Sequence, residues 1–208
     1  MAAEDVLDQL RKARIVPVVR TADVELAELA VAWLAEAGFR TFEITLTIPG
    51  AVDFIRRLVD GTPYLVGAGT VMSVEDASRC LDAGARFIVS PAVVSELPPY
   101  AGAAGAATML GAMTPTEVRA ARLAGADAVK IFPASSAGGP AHIKALRAVF
   151  PDVPLVPTGG IGIADIGDYI AAGAALVGVG GKLIDEASLR DGEREKFLLV
   201  ARHALASV

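Results

Sequence analysis

Asp82-Ala-Gly-Ala-Arg-Phe-Ile-Val-Ser90 and Leu123-Ala-Gly-Ala-Asp-Ala-Val-Lys-Ile131 are two copies of one pattern. In both, a small residue and a glycine are followed by a short linker and an apolar run. Further copies are Glu36-Ala-Gly-Phe-Arg-Thr-Phe-Glu-Ile44, Ala171-Ala-Gly-Ala-Ala-Leu-Val-Gly-Val179 and, more weakly, Ala104-Gly-Ala-Ala-Thr-Met-Leu110. Each copy is typical of a helix that ends at a C′ glycine and is followed by a short buried strand.

The intervals between these glycines indicate a repeating unit. Gly84 lies 21 residues before Gly105, and Gly105 lies 20 residues before Gly125. The longer intervals, 46 residues from Gly38 to Gly84 and 48 from Gly125 to Gly173, each correspond to two units. A unit of roughly 20–24 residues fits one strand, one helix and two short loops. The chain therefore has room for eight units, an N-terminal helix and a tail.

Eight short strands follow from this spacing, mostly apolar on both faces, as parallel strands covered by helices are. They are Ile15–Val19, Thr41–Leu46, Tyr64–Ala68, Arg86–Ser90, Ala107–Gly111, Ala126–Phe132, Leu155–Pro157 and Leu176–Val179. Eight alternations predict a (β/α)8 TIM barrel with an extra N-terminal helix, formed by residues 1–208 as one domain. The alternative is an open doubly wound sheet, but the G-x-G-x-x-G fingerprint that often marks such sheets does not occur.

Composition narrows the class of function. The 208 residues carry a net charge of −5, which argues against a nucleic-acid partner. A single cysteine, Cys80, excludes an internal disulfide, and two histidines, His142 and His203, make a histidine-rich metal site unexpected. The uncharged stretch 97–116 contains Pro, Gly and Thr and predicts a loop, a helix and a strand rather than a membrane span. The acidic start differs from a signal peptide, so we expect a cytoplasmic protein without membrane contact.

Lys130 is the first residue that does not fit a barrel core. It interrupts Ala128-Val-Lys-Ile-Phe132, a run otherwise suited to a buried strand, and lysine is almost never fully buried without compensation. The alternation along the strand leaves open whether Lys130 faces inward or lies outward between helices. In an apolar pocket, desolvation favours a neutral amine, which attacks a ketone to form a Schiff base. Such an imine draws electrons from the adjacent carbon–carbon bond.

Glu43, within Phe42-Glu-Ile-Thr-Leu46, is the second unusual residue. One interpretation is a strand-end acid paired with Arg20 or Arg40. The other is a general acid and base, because imine formation and enamine protonation both move protons. If Glu43 and Lys130 are both buried, each lowers the cost of burying the other's charge.

Further candidates lie where the predicted strands end, which is where barrel enzymes place their chemistry. Arg20 follows the first strand and suits a carboxylate through paired hydrogen bonds, or is an ordinary loop arginine. Thr70 follows Val66-Gly-Ala-Gly69, whose small residues allow close approach of a ligand. Two glycine pairs follow the last two strands and predict phosphate binding through bare backbone N–H groups. The pairs are Gly159-Gly160 and Gly180-Gly181, and Lys182, directly after the second pair, is a further candidate for phosphate binding.

The chain resembles the class I 2-keto-3-deoxy-6-phosphogluconate (KDPG) and 4-hydroxy-2-oxoglutarate (KHG) aldolases. Seven segments carry the resemblance in the order of that family and together span nearly the whole chain. They are Phe42-Glu-Ile-Thr-Leu, Val66-Gly-Ala-Gly-Thr-Val, Phe87-Ile-Val-Ser-Pro, Gly111-Ala-Met-Thr-Pro-Thr-Glu, Val129-Lys-Ile-Phe-Pro-Ala, Val156-Pro-Thr-Gly-Gly-Ile and Gly178-Val-Gly-Gly.

The resemblance implies a cytoplasmic homotrimeric lyase of carbohydrate metabolism, the Entner–Doudoroff type, with no metal or organic cofactor. It implies reversible cleavage of KDPG to pyruvate and D-glyceraldehyde 3-phosphate, and also of KHG to pyruvate and glyoxylate. Lys130 would form the Schiff base and Glu43 would be the acid/base group. The pyruvate end would contact Arg20, Thr70, Pro91 and Phe132, and the glycine pairs would hold the phosphate.

Two departures from the family pattern bear on the substrate. Thr47 stands where many members have arginine, which leaves anion recognition at that end to Arg20. Lys182 stands where many have serine, so a phosphate or a different acidic tail is expected there. The segment from Lys130 to Pro140 also resembles the phosphogalactonate aldolases. Outside the aldolases, the alternatives are a sugar-phosphate epimerase or isomerase and a non-catalytic sugar-phosphate-binding protein.

Overall fold

A computed structural model describes residues 2–208, and within them the chain forms eight strands that alternate with helices. The strands are β1 (Ile15–Val19), β2 (Thr41–Thr45), β3 (Leu65–Gly69), β4 (Phe87–Val89), β5 (Ala107–Ala112), β6 (Ala128–Ile131), β7 (Leu155–Pro157) and β8 (Val177–Val179). All neighbouring pairs are parallel, and the order in the sheet is β7-β6-β5-β4-β3-β2-β1-β8.

The sheet closes between its two outer strands. A parallel bridge joins Thr158 to Gly178, and the Ala175 N–H donates to the Leu155 carbonyl at 2.9 Å. The predicted (β/α)8 barrel is therefore confirmed, and the open doubly wound sheet is not formed.

Ten α-helices lie within residues 2–208, and most of them cover the outer surface of the barrel. They are α1 (Ala3–Ala13), α2 (Val24–Ala37), α3 (Ala51–Gly61), α4 (Val74–Asp82), α5 (Leu97–Ala103), α6 (Pro115–Leu123), α7 (Gly139–Val149), α8 (Ile166–Ala171), α9 (Glu186–Arg190) and α10 (Arg194–Ala206). In this described part of the chain, no helix has the length and apolar character needed to cross a membrane.

The predicted helix ends are confirmed at the repeated glycines. Gly38, Gly84, Gly105, Gly125 and Gly173 have φ between 73° and 124°, a region that disfavours residues with a Cβ. Each stops a helix and lets the chain turn directly into the next strand.

Some strand ends differ from the prediction by one or two residues, because hydrogen bonding rather than apolarity defines them. The sixth strand was expected over 126–132 but begins at Ala128. Before it, the Asp127 carboxylate accepts hydrogen bonds from the Thr108 N–H and hydroxyl at 2.7 and 2.9 Å. Asp127 is thereby used at the amino-terminal end of the barrel, away from the carboxyl ends of the strands.

Two apolar clusters form the core. The larger lies between the helices and the outer face of the barrel, and the smaller fills the barrel interior. Val6, Leu7 and Leu10 of α1 belong to the interior cluster, so the extra N-terminal helix closes one end of the barrel. The opposite end, where the strands finish, stays open to a cavity.

Candidate active site

The packing of its neighbours on β6 shows whether the Lys130 side chain points into the barrel or out of it. The alternation of residues in the sequence could not distinguish these two directions. Ala128 belongs to the barrel-interior cluster, whereas Val129 and Ile131 pack among the helices. Lys130 alternates with Val129 and Ile131, so its side chain points into the barrel, where the residue is 3% exposed. The register places it between Gly111 of β5 and Val156 of β7.

Glu43 lies inside the barrel beside Lys130. The distance from Lys130 Nζ to Glu43 Oε1 is 3.6 Å. That oxygen is buried and has no hydrogen-bond partner among residues 2–208. An unsatisfied buried carboxylate oxygen is costly and rare, so the site is suited to a group that donates a hydrogen bond to Glu43.

Gly69 makes room for this carboxylate. A Cβ built on Gly69 would overlap Glu43 Oε1, and Gly69 pairs directly with Thr45 of β2. Close packing of backbone and carboxylate is thus possible only because residue 69 has no side chain. Gly69 therefore makes room for the neighbouring acid, whereas Gly67 makes room for the Phe87 ring.

A cavity of about 340 Å³ opens above Lys130 at the carboxyl ends of four neighbouring strands. Its walls comprise Val18, Arg20, Lys130, Phe132, Thr158, Gly159, Gly160, Ile161, Gly180, Gly181 and Lys182. Among these described residues the charged ones, Arg20, Lys130 and Lys182, are all basic. The structure thus brings eight of the sequence-predicted site residues onto one wall and makes that wall attractive to anions.

Arg20 borders this cavity and contacts Thr70, which itself borders a neighbouring cavity together with Thr47. An Arg20 guanidinium nitrogen donates to Thr70 Oγ1 at 3.3 Å. Thr70 has φ of 62°, which is unusual for a β-branched residue and costs roughly 1–3 kcal/mol. Backbone strain of this kind is often kept where a side chain must point in one direction.

Phe132 lies beneath the amine, with Lys130 Nζ 5.3 Å from its ring centroid, a distance at which the ring face attracts a cation. Pro91 does not border the cavity. Its backbone carbonyl packs so closely on Gly111 that a Cβ there would overlap it. Contact between Pro91 and a ligand therefore stays a prediction.

The glycine loops shape the far side of the cavity. Gly159 and Gly160 have φ of 94° and 73°, and a Cβ on Gly159 would lie 2.9 Å from the Phe132 ring. A Cβ on Gly181 would meet nothing within 4 Å, so this loop is open to the cavity. Backbone N–H groups in such loops can bind a phosphate without crowding from side chains.

Cys80, His142 and His203 lie outside this site. Cys80 is fully buried on α4, and burial raises the pKa of its thiol to about 11, so it is protonated near neutral pH. His142 Nε2 is 2.8 Å from the Met113 carbonyl. Within residues 2–208 no group of three or more His, Cys, Asp or Glu side chains is placed to hold a metal ion.

Comparison with known proteins identifies the family of this chain. The family described as KDPG and KHG aldolase matches residues 6–199. The chain belongs to this family. The resemblance first seen in seven short segments is thereby confirmed.

Individual relatives agree with this aldolase assignment. A probable 2-dehydro-3-deoxy-6-phosphogalactonate aldolase of Rhizobium meliloti is 39% identical over 81% of each chain. The 2-dehydro-3-deoxy-phosphogluconate aldolase of Pseudomonas aeruginosa is 34% identical over 94% of this chain and 89% of its own. A crystal structure of the Legionella pneumophila KDPG aldolase, with pyruvate captured at low pH as a covalent carbinolamine intermediate, superposes with a TM-score of 0.86. It is 28% identical and covers 95% of this chain and 96% of its own.

Thr158 and Thr47 border two different cavities of this aldolase. Thr158 borders the cavity and forms a parallel bridge with Gly178. It was not predicted as a site residue from the sequence, where only the glycine pair that follows it was named. Its position two residues after inward-facing Val156 was the available signal. Thr47 instead borders a neighbouring cavity, and its hydroxyl lies 2.8 Å from that of Thr45. Thr47 is uncharged and does not border the substrate cavity, so it cannot replace the arginine of the family pattern there.

Proposed function

We propose that the chain is a class I aldolase that reversibly cleaves KDPG to pyruvate and D-glyceraldehyde 3-phosphate. The observation that carries this proposal is a buried lysine amine 3.6 Å from a buried carboxylate, at the floor of an otherwise basic cavity. A 2-keto acid with a phosphorylated tail complements both the amine and the basic wall.

The chemistry begins with proton transfer within the buried pair. With the shared proton on Glu43, the neutral Lys130 amine attacks the C2 ketone and forms a carbinolamine. Glu43 returns a proton to the departing hydroxyl, which leaves as water and generates the iminium ion. The iminium then accepts the electron pair of the C3–C4 bond as a base removes the proton from the C4 hydroxyl. The aldehyde leaves, and an enamine of pyruvate remains on Lys130.

The second half reverses the first steps. The enamine takes a proton at C3 and becomes the pyruvate iminium, and water then adds to C2. Collapse of the carbinolamine releases pyruvate and restores the free amine. In the proposed mechanism Glu43 carries these protons, directly or through one water molecule. Its Oε1, which lacks another hydrogen-bond partner among residues 2–208, supports this role.

Substrate binding divides between the two ends of the cavity. Arg20, oriented by Thr70, binds the carboxylate beside the ketone, since an arginine makes charge-assisted hydrogen bonds to such a group. Gly159, Gly160, Gly180 and Gly181 present their backbones to the phosphate. Phe132 packs against the carbons near Lys130, and Pro91 is retained as a further contact for the pyruvate end.

The C4 epimer of this substrate is a second candidate. The Rhizobium meliloti relative, named as a probable phosphogalactonate aldolase, has 39% identity, compared with 34% for the Pseudomonas aeruginosa phosphogluconate aldolase. The two substrates differ only in the configuration of one hydroxyl. Assays of both epimers and of KHG under the same conditions would rank the three activities.

Borohydride trapping tests the mechanism directly. Reduction in the presence of pyruvate is expected to leave a stable adduct on Lys130, located by mass spectrometry of the peptide that contains it. Lys130→Met removes the adduct and cleavage activity, whereas Lys144→Met, at an exposed position on α7, retains both. Cleavage by Lys130→Met would refute the Schiff-base mechanism on Lys130. An unmodified Lys130 at saturating pyruvate, together with no cleavage by the wild type, would refute the proposal and favour an epimerase, an isomerase or a binding protein.

We also propose a homotrimer, the assembly implied by the sequence resemblance, in the cytoplasm. Among structural neighbours at 32% identity is a cage designed by fusing symmetric oligomeric domains, with a TM-score of 0.83. Light scattering on the purified protein is expected to give three times the 21.3 kDa chain mass. A monomeric mass would contradict this part of the proposal.

A further inference from the structure

Thr45 is the last residue of β2 and lies two residues beyond Glu43, on the same inward face of the strand. It is fully buried, although its side chain carries a hydroxyl. Valine is branched in the same way, suits a strand equally well and would bring no polar atom into the core. A buried hydroxyl is costly unless it makes hydrogen bonds. The bonds that this hydroxyl makes therefore indicate its role.

The Thr45 hydroxyl links β2 to the end of β1. It donates to the Val19 carbonyl at 3.1 Å, and it lies 2.8 Å from the Thr47 hydroxyl. A carbonyl can only accept, so the single hydroxyl proton of Thr45 is directed at Val19. Thr47 must then be the donor of the second bond. Thr45 Oγ1 is thus held from two sides, and its proton has one direction.

The end of β1 depends on β2 for its place in the sheet. The pairing of β1 with β8 ends at Pro17, whereas its pairing with β2 continues to Val19. Within residues 2–208, the last residue of β1 therefore has its ladder partner in β2 alone. The bond from the Thr45 side chain adds to this ladder at the point where β1 leaves the sheet.

Arg20 follows Val19 directly, and its side chain crosses the end of β2. β2 lies between β1 and β3 in the sheet, and Arg20, after β1, contacts Thr70, after β3. The backbones of β1 and β3 are two strand spacings apart, roughly 10 Å. A displacement of the end of β1 would therefore move the guanidinium away from Thr70 and change its position in the substrate cavity.

The end of β3 is tied to β2 from the other side. The Leu46 N–H donates to the Gly69 carbonyl at 2.9 Å, and Gly69 directly precedes Thr70. Two consecutive residues of the β2 end thus hold the backbones on both sides of the contact between Arg20 and Thr70. The bond to β3 comes from the backbone and needs no particular side chain, whereas the bond from Thr45 to β1 needs a hydroxyl.

We infer that Thr45 is a positioning residue for substrate binding, whose hydroxyl fixes the end of β1 and thereby aims Arg20 at the carboxylate of the 2-keto acid. The inference rests on the proposed function, in which Arg20 binds that carboxylate. Thr45 is not among the residues that border the substrate cavity, so it acts through Arg20 and not by contact with the substrate. An effect through Arg20 raises the KM for pyruvate, whereas an effect through Glu43 on the same strand would lower kcat.

Thr45→Val tests this role, because it removes the hydroxyl and keeps the branched shape. Loss of one buried hydrogen bond is expected to raise the KM for pyruvate in the condensation direction about 3- to 10-fold. The kcat, expressed per Lys130 that pyruvate and borohydride can trap, should stay within about twofold of wild type. Thr45→Ser keeps the donor and should recover most of the wild-type KM. Thr45→Ala removes the same hydroxyl and gives the same readout if the valine variant does not fold.

A double-mutant cycle with Arg20→Met shows whether Thr45 acts through Arg20. Once the guanidinium is absent, Thr45→Val has no group to displace. In the Arg20→Met background it should therefore change the KM for pyruvate less than about twofold. If the two single effects multiply in the double variant, Thr45 acts by another route and the inference is wrong.

Thr108→Val is the matched control. Thr108 is likewise buried, and its hydroxyl donates to Asp127 at the opposite end of the barrel. This variant should lower the free energy of unfolding by a similar amount but leave the KM for pyruvate at the wild-type value, because it lies far from Arg20. An unchanged KM in folded Thr45→Val, or an equal rise in Thr108→Val, would overturn the role of Thr45.

Failure of the proposed function gives a different result. If Arg20→Met keeps the wild-type KM for pyruvate, the carboxylate assignment of Arg20 is wrong, and the inference about Thr45 is overturned with it. Absence of the pyruvate–borohydride adduct on Lys130 in the wild type would instead contradict the aldolase mechanism itself.

Discussion

Lys130 Nζ and Glu43 Oε1 lie 3.6 Å apart inside the barrel, and the two side chains are only 4% and 5% exposed. They come from β6 and β2, which are not neighbours in the sheet. Their contact therefore crosses the barrel interior. A buried ion pair of this kind is seldom needed for stability, because apolar residues of similar volume often serve as well. In the proposed mechanism this pair, at the floor of a cavity, supplies the amine and the acid/base group.

Glu43→Gln tests the role assigned to the carboxylate. The amide fills the same space but cannot carry protons, so kcat is expected to fall roughly 100- to 10,000-fold. The borohydride adduct with pyruvate should still form on Lys130, although more slowly. Steady-state kinetics and time-resolved trapping measure the two effects, and circular dichroism checks the fold. Unchanged kcat would remove Glu43 from the mechanism.

Gly69→Ala tests whether the backbone of β3 positions this carboxylate. The new Cβ would overlap Glu43 Oε1, and the flexible end of the glutamate must then move away. We expect a decrease in kcat of about tenfold or more, with a smaller effect on the free energy of unfolding.

Gly61→Ala is the matched control for this substitution. Gly61 ends α3, and a Cβ there would meet nothing within 4 Å. It should keep wild-type kcat in the same assay. If Gly69→Ala also keeps wild-type kcat, the placement of Glu43 by Gly69 is not required for turnover.

Arg20→Met tests recognition of the 2-keto acid carboxylate. With Thr47 turned to another cavity, Arg20 is the cation at this end of the site besides Lys130. The KM for pyruvate in the condensation direction should rise about 10- to 100-fold. Arg20→Lys should recover only part of the loss, because lysine cannot make two parallel hydrogen bonds to a carboxylate. Arg119→Met, at an exposed position on α6, controls for the change in net charge, and equal KM values in the two methionine variants would contradict the assignment.

Glu117 predicts a pH-dependent contribution to stability at the start of α6. Its carboxylate accepts hydrogen bonds from the Met113 N–H at 2.8 Å, the Thr114 hydroxyl at 2.9 Å and the Thr114 N–H at 2.8 Å. These bonds, that from Met113 first, lower the pKa of Glu117 below its ordinary 4.5. Because its pKa is lower in the folded state, the ionised Glu117 carboxylate stabilises the folded state at pH values above its ordinary pKa. That stabilisation is lost as the pH falls through the folded-state pKa.

The measurement is denaturant unfolding of the wild type and Glu117→Gln over a range of pH. The wild type should be the more stable near neutral pH, and the difference should shrink as pH falls below 4.5. The effect is expected to be small because the carboxylate is exposed and water screens it. A difference between the two proteins that grows toward acid pH would show the opposite sign and contradict the assignment.

The sequence by itself determined the barrel, because its signals are local. Each of the repeated glycines ends a helix with φ above 70°, and repetition of that signal at intervals of 20 and 21 residues counts the units. Lys130 and Glu43 were also recognisable locally, as charges within apolar strands. The glycine pairs were recognisable from their place after the last two strands.

Only the tertiary structure decided which way these side chains point and which of them meet. Apart from Lys130, the two faces of β6 are both apolar in sequence, so alternation could not distinguish inside from outside until α1 and the interior cluster defined the interior. The proximity of Glu43 to Lys130 and the separation of Thr47 from the cavity depend on strands far apart in the chain. Such contacts arise from closure of the sheet, and no local pattern of residues encodes them.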